Sequence, residues 1–514
     1  MTRKEMASIQ DKLAESLKVL KDYQDSHNNM IIRGYSVLGD THTKRLLENG
    51  YLQPIIKGWY MPSFPGNEGD TTVWYASYWQ FIAAYANGRF GNDWCLTAEE
   101  SLSFHAGETT CPSQLIIKAT KANNNIIKLK FGDSLMDISA ALPKNVYVEP
   151  RYGIRLYTLA EALVFCTPQY FISDALNART CLSQLTDASE IIKIVADEGN
   201  TTRASRICGA LRNMDKGDMA DEISSFMQRL GYKLREEDPF KEKSPLIDTI
   251  QSPYSVRTAL MWTEMKKQIQ SLDLKLQVSS TDKDIVLANM ETNYIKDSYH
   301  SLSIEGYRVT EELIEKVRDG NWDPTDNERD TEQKNALAAR GYYQAFEAVK
   351  ESVGTILTNN NAGETVANDF DKWHFELFQP CITAGIVKPS DLIGYRNHQV
   401  YIRNSKHTPL SPDAVRAVMP TFCELLAKEE DAFVRAILGH FFFVYIHPYM
   451  DGNGRTARFI MNTMLVTAGL SWTIIPVEKR KDYMSALEKV SVERDISDFA
   501  KFIHTLISKA QVEL

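Results

Sequence analysis

The sequence predicts a multidomain protein: a winged helix at residues 1–65, a mixed α/β domain at 66–235 and a linker at 236–252. An all-α second half follows, split into a helical region at 253–330 and a larger helical domain with carboxyl-terminal helices at 331–514. Three observations carry this. At 514 residues the chain exceeds one ordinary core. Apolar residues follow mixed helix and strand periods before residue 235, and helical periods alone after 252. Between these lies Arg235-Glu236-Glu237-Asp238-Pro239-Phe240-Lys241-Glu242-Lys243-Ser244-Pro245, charged, punctuated by proline and without periodicity.

At the amino end, Ile9, Leu13, Leu17 and Leu20 recur at helical spacing, and a second short helix is expected over about 43–48. Leu52 to Met61 reads as a strand pair turning at Gly58, which completes a winged-helix pattern. Leu46 to Leu52 with Ile56 to Tyr60 resembles the amino-terminal module of AbiEi-like antitoxins and regulators, and that resemblance implies that Thr41, His42, Thr43, Lys44 and Arg45 open a recognition helix that contacts DNA. Against this, residues 1–65 hold nine Lys and Arg and seven Asp and Glu, a weak charge for tracking phosphates. A protein-docking module is the competing reading.

The next segment alternates. Trp74 to Tyr85 is aromatic-rich and helical, whereas 114–118, 126–129 and 146–148 read as strands bounded by Asn, Gly and Pro. Helical spacing returns at 158–165, 171–178, 188–195, 204–211 and 219–230.

In the second half one loop stands out: His447-Pro448-Tyr449-Met450-Asp451-Gly452-Asn453-Gly454-Arg455-Thr456-Ala457-Arg458. Before it, residues 436–446 are apolar on nearly every face, as in a buried helix. After it, Phe459, Ile460, Met464 and Leu465 fall at helical spacing, with Gly469 as a stop. Gly452 and Gly454 admit an oxyanion close to the backbone, where the following helix offers unpaired N–H groups and a positive dipole end. Arg455 and Arg458 suit phosphates, Asp451 suits a magnesium ion that bridges them, and His447 suits a general base.

This loop resembles the Fic-family motif HPFxDGNGRxxR, with Tyr449 in place of the usual Phe. The resemblance implies an all-α Fic domain with a small β-hairpin flap. It also implies transfer of AMP from ATP, with Mg2+, to a Tyr, Thr or Ser hydroxyl of a protein target or of the protein itself. His447 would then be the base and Asp451 the metal ligand. Gly452, Asn453 and Gly454 would form the anion cradle, with Asn453, Arg455 and Arg458 orienting the phosphates.

Two further stretches take meaning from that resemblance. Family members often carry an inhibitory helix in which Ser or Thr is followed four residues later by Glu and then Gly or Asn; Ser301, Glu305 and Gly306 match it. Glu305 would pair with Arg458 and misplace the ATP γ-phosphate. The same carboxylate would suit orienting a water for the reverse reaction, removal of AMP. Val400, Tyr401 and Ile402 alternate as a short hairpin where the family places its target-binding flap. With the AbiEi-like resemblance at the front, the rival function is a DNA-binding regulator that uses the Fic domain as an ATP-responsive switch. Transfer of another phosphate-linked group is a further alternative.

Composition is that of a soluble globular protein, and the net charge of −9 gives no overall nucleic-acid signature. Seven cysteines lack any CxxC pairing, as expected of reduced, buried thiols in the cytoplasm. Residues 1–18 lack an apolar core for a signal, and no stretch is apolar enough to span a bilayer, so no membrane partner is expected. A homodimer that loosens the Glu305 helix would be one route to activation.

Overall fold

The computed structural model describes residues 3–27, 30–66, 69–245, 252–320, 330–359 and 361–512. The chain divides into two compact units, Met1–Leu246 with Tyr401–Thr408, and Ile247–Val400 with Pro409–Leu514. No helix among the described residues is long and apolar enough to cross a membrane.

The first unit opens with helices Arg3–His27 and Asp40–Glu48 and a three-stranded antiparallel sheet. In that sheet Trp59–Pro62 lies between Ile32–Arg33 and Leu52–Ile56, with Ile32 opposite Tyr60. Gly58 makes the turn at φ 82°, a conformation that suits glycine. Leu20, Ile32, Leu38, Leu46, Leu52 and Tyr60 fill the small core. Next, helix Thr72–Phe90 buries Trp74, Tyr78 and Phe81 in a second core shared with a four-stranded sheet. There Gln114–Ala119 and Ser134–Ser139 run parallel, flanked by Trp94–Leu96 and Ile126–Lys128. A helical layer then buries a third core. The single helix expected at 171–178 is two, Tyr170–Ser173 and Ala175–Ser183, because Asp174 leaves helical geometry to cap the second.

The expected linker is packed at two of its described residues. Phe240 is buried, stands edge-on to Phe171 and lies under the Arg179 guanidinium. Asn213 donates to the Asp238 carboxylate at 2.8 Å and to the Glu242 carbonyl at 3.0 Å. Charge suggested solvent here, and residues 235–238 and 241–243 are exposed; Phe240 and Ser244 are the buried points, and the division between the two units falls after residue 246, inside the expected 236–252. Residues 246–251 of that linker, and the expected boundary near 330 as far as it falls on 321–329, lie outside the described residues.

The second unit is helical, with no strand among its described residues. Helix Ala432–Ile446 is buried on nearly every side, and helix Asn453–Thr467 packs against it. Around them stand Pro253–Ser271, Lys283–Ile304, Asp330–Asn359, Ala362–Thr383 and Pro412–Lys428, with Arg480–Glu493 and Ser497–Val512 closing the chain.

The hairpin expected at Val400, Tyr401 and Ile402 is absent; no strand lies between 395 and 410. Side chains replace the ladder there. The Gln399 amide donates to the Pro409 carbonyl at 2.7 Å, and Pro409 has no N–H to return. Residues 401–408 pack within the first unit, where Lys406 pairs with buried Asp133 at 3.2 Å and its carbonyl accepts from Cys111 N at 3.3 Å.

Candidate active site

The site is the turn between helices Ala432–Ile446 and Asn453–Thr467. His447 ends the first helix in left-handed geometry, φ 55° and ψ 61°, donating its backbone N–H to Phe443 O at 3.0 Å. Its ring Nδ1 lies 3.1 Å from Val444 O. A carbonyl only accepts, so Nδ1 carries the proton and Nε2 keeps its lone pair. Burial, with the Arg396 charge adding to it, pushes the imidazole pKa down to about 4. The ring is therefore neutral at pH 7.

Tyr449 is a packing residue. Its ring stacks on His374 at 3.6 Å, and its hydroxyl reaches Asp371. Its backbone N–H donates to Asn453 Oδ1 at 3.0 Å, while Asn453 Nδ2 donates to Tyr449 O at 2.9 Å. One donor and one acceptor of the Asn453 amide thus brace the loop's own backbone, and its second N–H and second lone pair are left for a ligand.

Gly452 sits at φ 84°, and a Cβ there would press on Phe378 at 2.8 Å and His374 at 3.2 Å. His374 Nε2 lies 3.0 Å from Asp451 O and fixes the turn from outside. Asp451 Oδ1 accepts from Gly452 N at 2.6 Å, and the side chain is 67 % exposed. One hard oxygen is left facing outward, which fits magnesium held by a single carboxylate, phosphates and waters. No group of three potential metal ligands occurs among the described residues.

Arg455 is 1 % exposed, with its guanidinium between the rings of Tyr307 at 5.4 Å and Phe378 at 5.0 Å. Its contact to Asp451 is long, 3.5 Å. It borders a cavity of about 430 Å3 together with Asp451, Tyr307, Lys334 and Leu337.

Arg458 faces helix Lys283–Ile304. Nε donates to Ser301 Oγ at 2.9 Å, and Nη2 donates to Ser301 O at 3.1 Å and Glu305 Oε1 at 2.8 Å. Glu305 caps that helix, and its carboxylate lies so close over Gly454 that a Cβ there would collide with it. A negative charge thus rests on the first turn of a helix whose N–H groups and dipole favour an anion. Tyr483, which donates to or accepts from His440 at 2.9 Å, packs behind Arg458.

The amino-terminal candidates fare differently. Thr43 is fully buried and donates to Tyr35 O at 3.0 Å, and Arg45 reaches back to Lys12 O at 2.8 Å and Ser16 Oγ at 2.7 Å. Thr43 is withdrawn from the surface, whereas Arg45 is half-buried. Lys44 is exposed. Sequence reasoning also passed over His374, Tyr307 and Arg396, none of which has a distinctive spacing.

Residues 366–465 match the model of the Fic/DOC family. The chain is 29 % identical over 253 residues to the protein adenylyltransferase Fic of Drosophila yakuba, covering 46 % of this chain and 47 % of that one. With the protein of the same name from Drosophila virilis it shares 30 % over 250 residues, 46 % of this chain and 48 % of that one. For Nematostella vectensis the figures are 28 % over 214 residues, 41 % and 46 %. The chain thus spans about half the length of the curated relatives it matches. Among solved structures, Fic-1 from C. elegans aligns at a TM-score of 0.36 and 19 % identity, over 65 % of this chain and 90 % of that one. The matched residues fall in the second unit apart from 401–408, which belong to the first.

Proposed function

We propose that the protein is an autoinhibited protein adenylyltransferase, moving AMP from ATP to a Tyr, Thr or Ser hydroxyl of a target protein or of itself. One observation carries the reading: the Glu305 carboxylate sits where the loop is built to hold an anion, paired with Arg458 at 2.8 Å. The relatives named protein adenylyltransferase support the chemistry.

The residues divide the work. His447 Nε2 accepts the hydroxyl proton as the oxygen attacks the α-phosphorus, and the bond to the departing pyrophosphate breaks. The backbone N–H groups at the start of helix Asn453–Thr467, with Arg455 and Arg458, orient the phosphates and spread their charge. Asp451 would hold magnesium, whose role when bound is to neutralise the diphosphate. While Glu305 occupies Arg458, the γ-phosphate has no partner there, and ATP binds in a pose unsuited to in-line attack.

Residues 1–65 form, in this reading, a winged-helix module of the AbiEi-like kind, supported by its two helices and three-stranded sheet. Thr43 is buried, Lys44 exposed and Arg45 half-buried, so a DNA role is the second reading, and the Fic/DOC match favours the enzyme. The test is the intact mass of wild type, Glu305→Gly and His447→Ala after incubation with ATP and Mg2+. AMP adducts on Glu305→Gly, few on wild type and none on His447→Ala are expected. Adducts on His447→Ala would remove the base, and equal adducts on wild type and Glu305→Gly would remove the brake.

A further inference from the structure

Arg396 is 3 % exposed and donates to four main-chain carbonyls, two of them in the catalytic turn. Its N–H donates to Pro448 O at 2.9 Å. Its Nε donates to His447 O at 2.8 Å, Nη1 to His398 O at 2.9 Å, and Nη2 to Leu410 O.

These acceptors are not incidental. His447 leaves its helix in left-handed geometry, a strained state for a residue with a side chain, so its carbonyl points where no helical N–H can reach. The two other carbonyls, of His398 and Leu410, stand on either side of the segment 401–408. One planar guanidinium with donors in a fixed fork therefore sets the angle of the His447 peptide and closes the neck of that segment at once. A lysine ammonium could satisfy one or two of these acceptors, without the fork geometry.

We propose that Arg396 is a positioning residue: it holds His447 in the geometry that aims Nε2 at the incoming hydroxyl, and it ties that geometry to the neck of segment 401–408. The proposal rests on the adenylyltransferase reading. It separates Arg396 from Arg455 and Arg458, which meet the nucleotide, and makes it a determinant of turnover and not of ATP affinity. Arg396 also acts on the ring through charge. Burial lowers the His447 pKa most, Arg396 lowers it further, and Glu305 and Asp451 act to raise it.

Charge and geometry can be separated by comparing Arg396→Lys with Arg396→Met, both in the Glu305→Gly protein. Three quantities are read: kcat and KM for ATP in self-adenylylation, thermal unfolding, and the His447 imidazole titration followed by NMR without nucleotide. Arg396→Met should lose about 100-fold in kcat, as an ångström-scale misplacement costs, with KM for ATP nearly unchanged. Its His447 pKa should rise. Arg396→Lys should keep the low pKa and lie between in kcat. A folded Arg396→Met with parental kcat would overturn the proposal. If that variant does not fold, Arg396→Lys decides: lower kcat at unchanged KM upholds the role, and parental kcat overturns it. No label on the Glu305→Gly parent would be a failure of the enzyme reading, and the NMR arm would then decide alone. There an unchanged His447 titration and chemical shift in Arg396→Met would overturn the positioning role.

Discussion

Replacing Glu305 by glutamine keeps its shape and removes its charge, which isolates the ion pair with Arg458. That pair is 2.8 Å long, with Arg458 buried and the Glu305 side chain 30 % exposed. A hydrogen bond between charged groups contributes about 1.5–3 kcal/mol, and exposure of the carboxylate argues for the lower half of that range. Weakening the closed state by about 1.5–2 kcal/mol should raise the productive fraction roughly 10- to 30-fold, while it remains the minor state. Ser301→Ala removes a neutral hydroxyl's contact to the charged Arg458 Nε and leaves the Ser301 carbonyl in place. Its expected gain is at the low end of the same range, about 10-fold for roughly 1.5 kcal/mol. The assay is the initial rate of self-adenylylation at subsaturating ATP. Glu305→Gln within twofold of wild type would refute the ion pair as the brake. Ser301→Ala exceeding Glu305→Gln would show that the helix end, and not the charge, holds the site closed.

Two other outcomes follow from the geometry. With the free-enzyme His447 pKa near 4, kcat/KM of Glu305→Gly should show no His447 inflection near 6.5 and should lose the basic imidazole only as pH approaches 4, checked by a pH–rate profile. The depressed pKa also means that the unfolded chain binds the proton more readily, so this group's contribution to stability is lost as pH falls from about 6.5 toward 4. Phe240→Ala should destabilise the first unit by about 3 kcal/mol, lowering its unfolding temperature by roughly 6–12 °C in a thermal scan, whereas a solvated linker would show no change.

The catalytic loop was legible because its chemistry is local: a histidine, an acid, two glycines and two arginines stand within twelve residues, and the flanking apolar runs read as helices. In the first unit the helices from 158 onward and the strands near 52–61, 114–119, 126–128 and 146–148 were legible from period, whereas Ile32–Arg33, Trp94–Leu96, Ser134–Ser139, Arg155–Tyr157 and helix Ala98–His105 were not. What failed depends on contacts distant in sequence. Phe240 reads as part of a solvated linker until Phe171 and Arg179 cover it, and Thr43 reads as exposed until Tyr35 covers it. Alternation at Val400 and Ile402 is too short to distinguish a strand from a strap whose neck is held by Gln399 and Arg396. The bracing of Tyr449 by Asn453 was not legible, because the match of an amide to a backbone four residues away shows only in the fold. Arg396 carried no signal, since three carbonyls from separate segments meet only in the fold.

The central claim is that this site transfers AMP and not the terminal phosphate. Glu305→Gly should be incubated in parallel with ATP labelled at the α-phosphate and ATP labelled at the γ-phosphate, and the protein-bound label counted. Label from the α-position alone is expected, abolished by His447→Ala. Label from the γ-position, or α-label that survives His447→Ala, would contradict it.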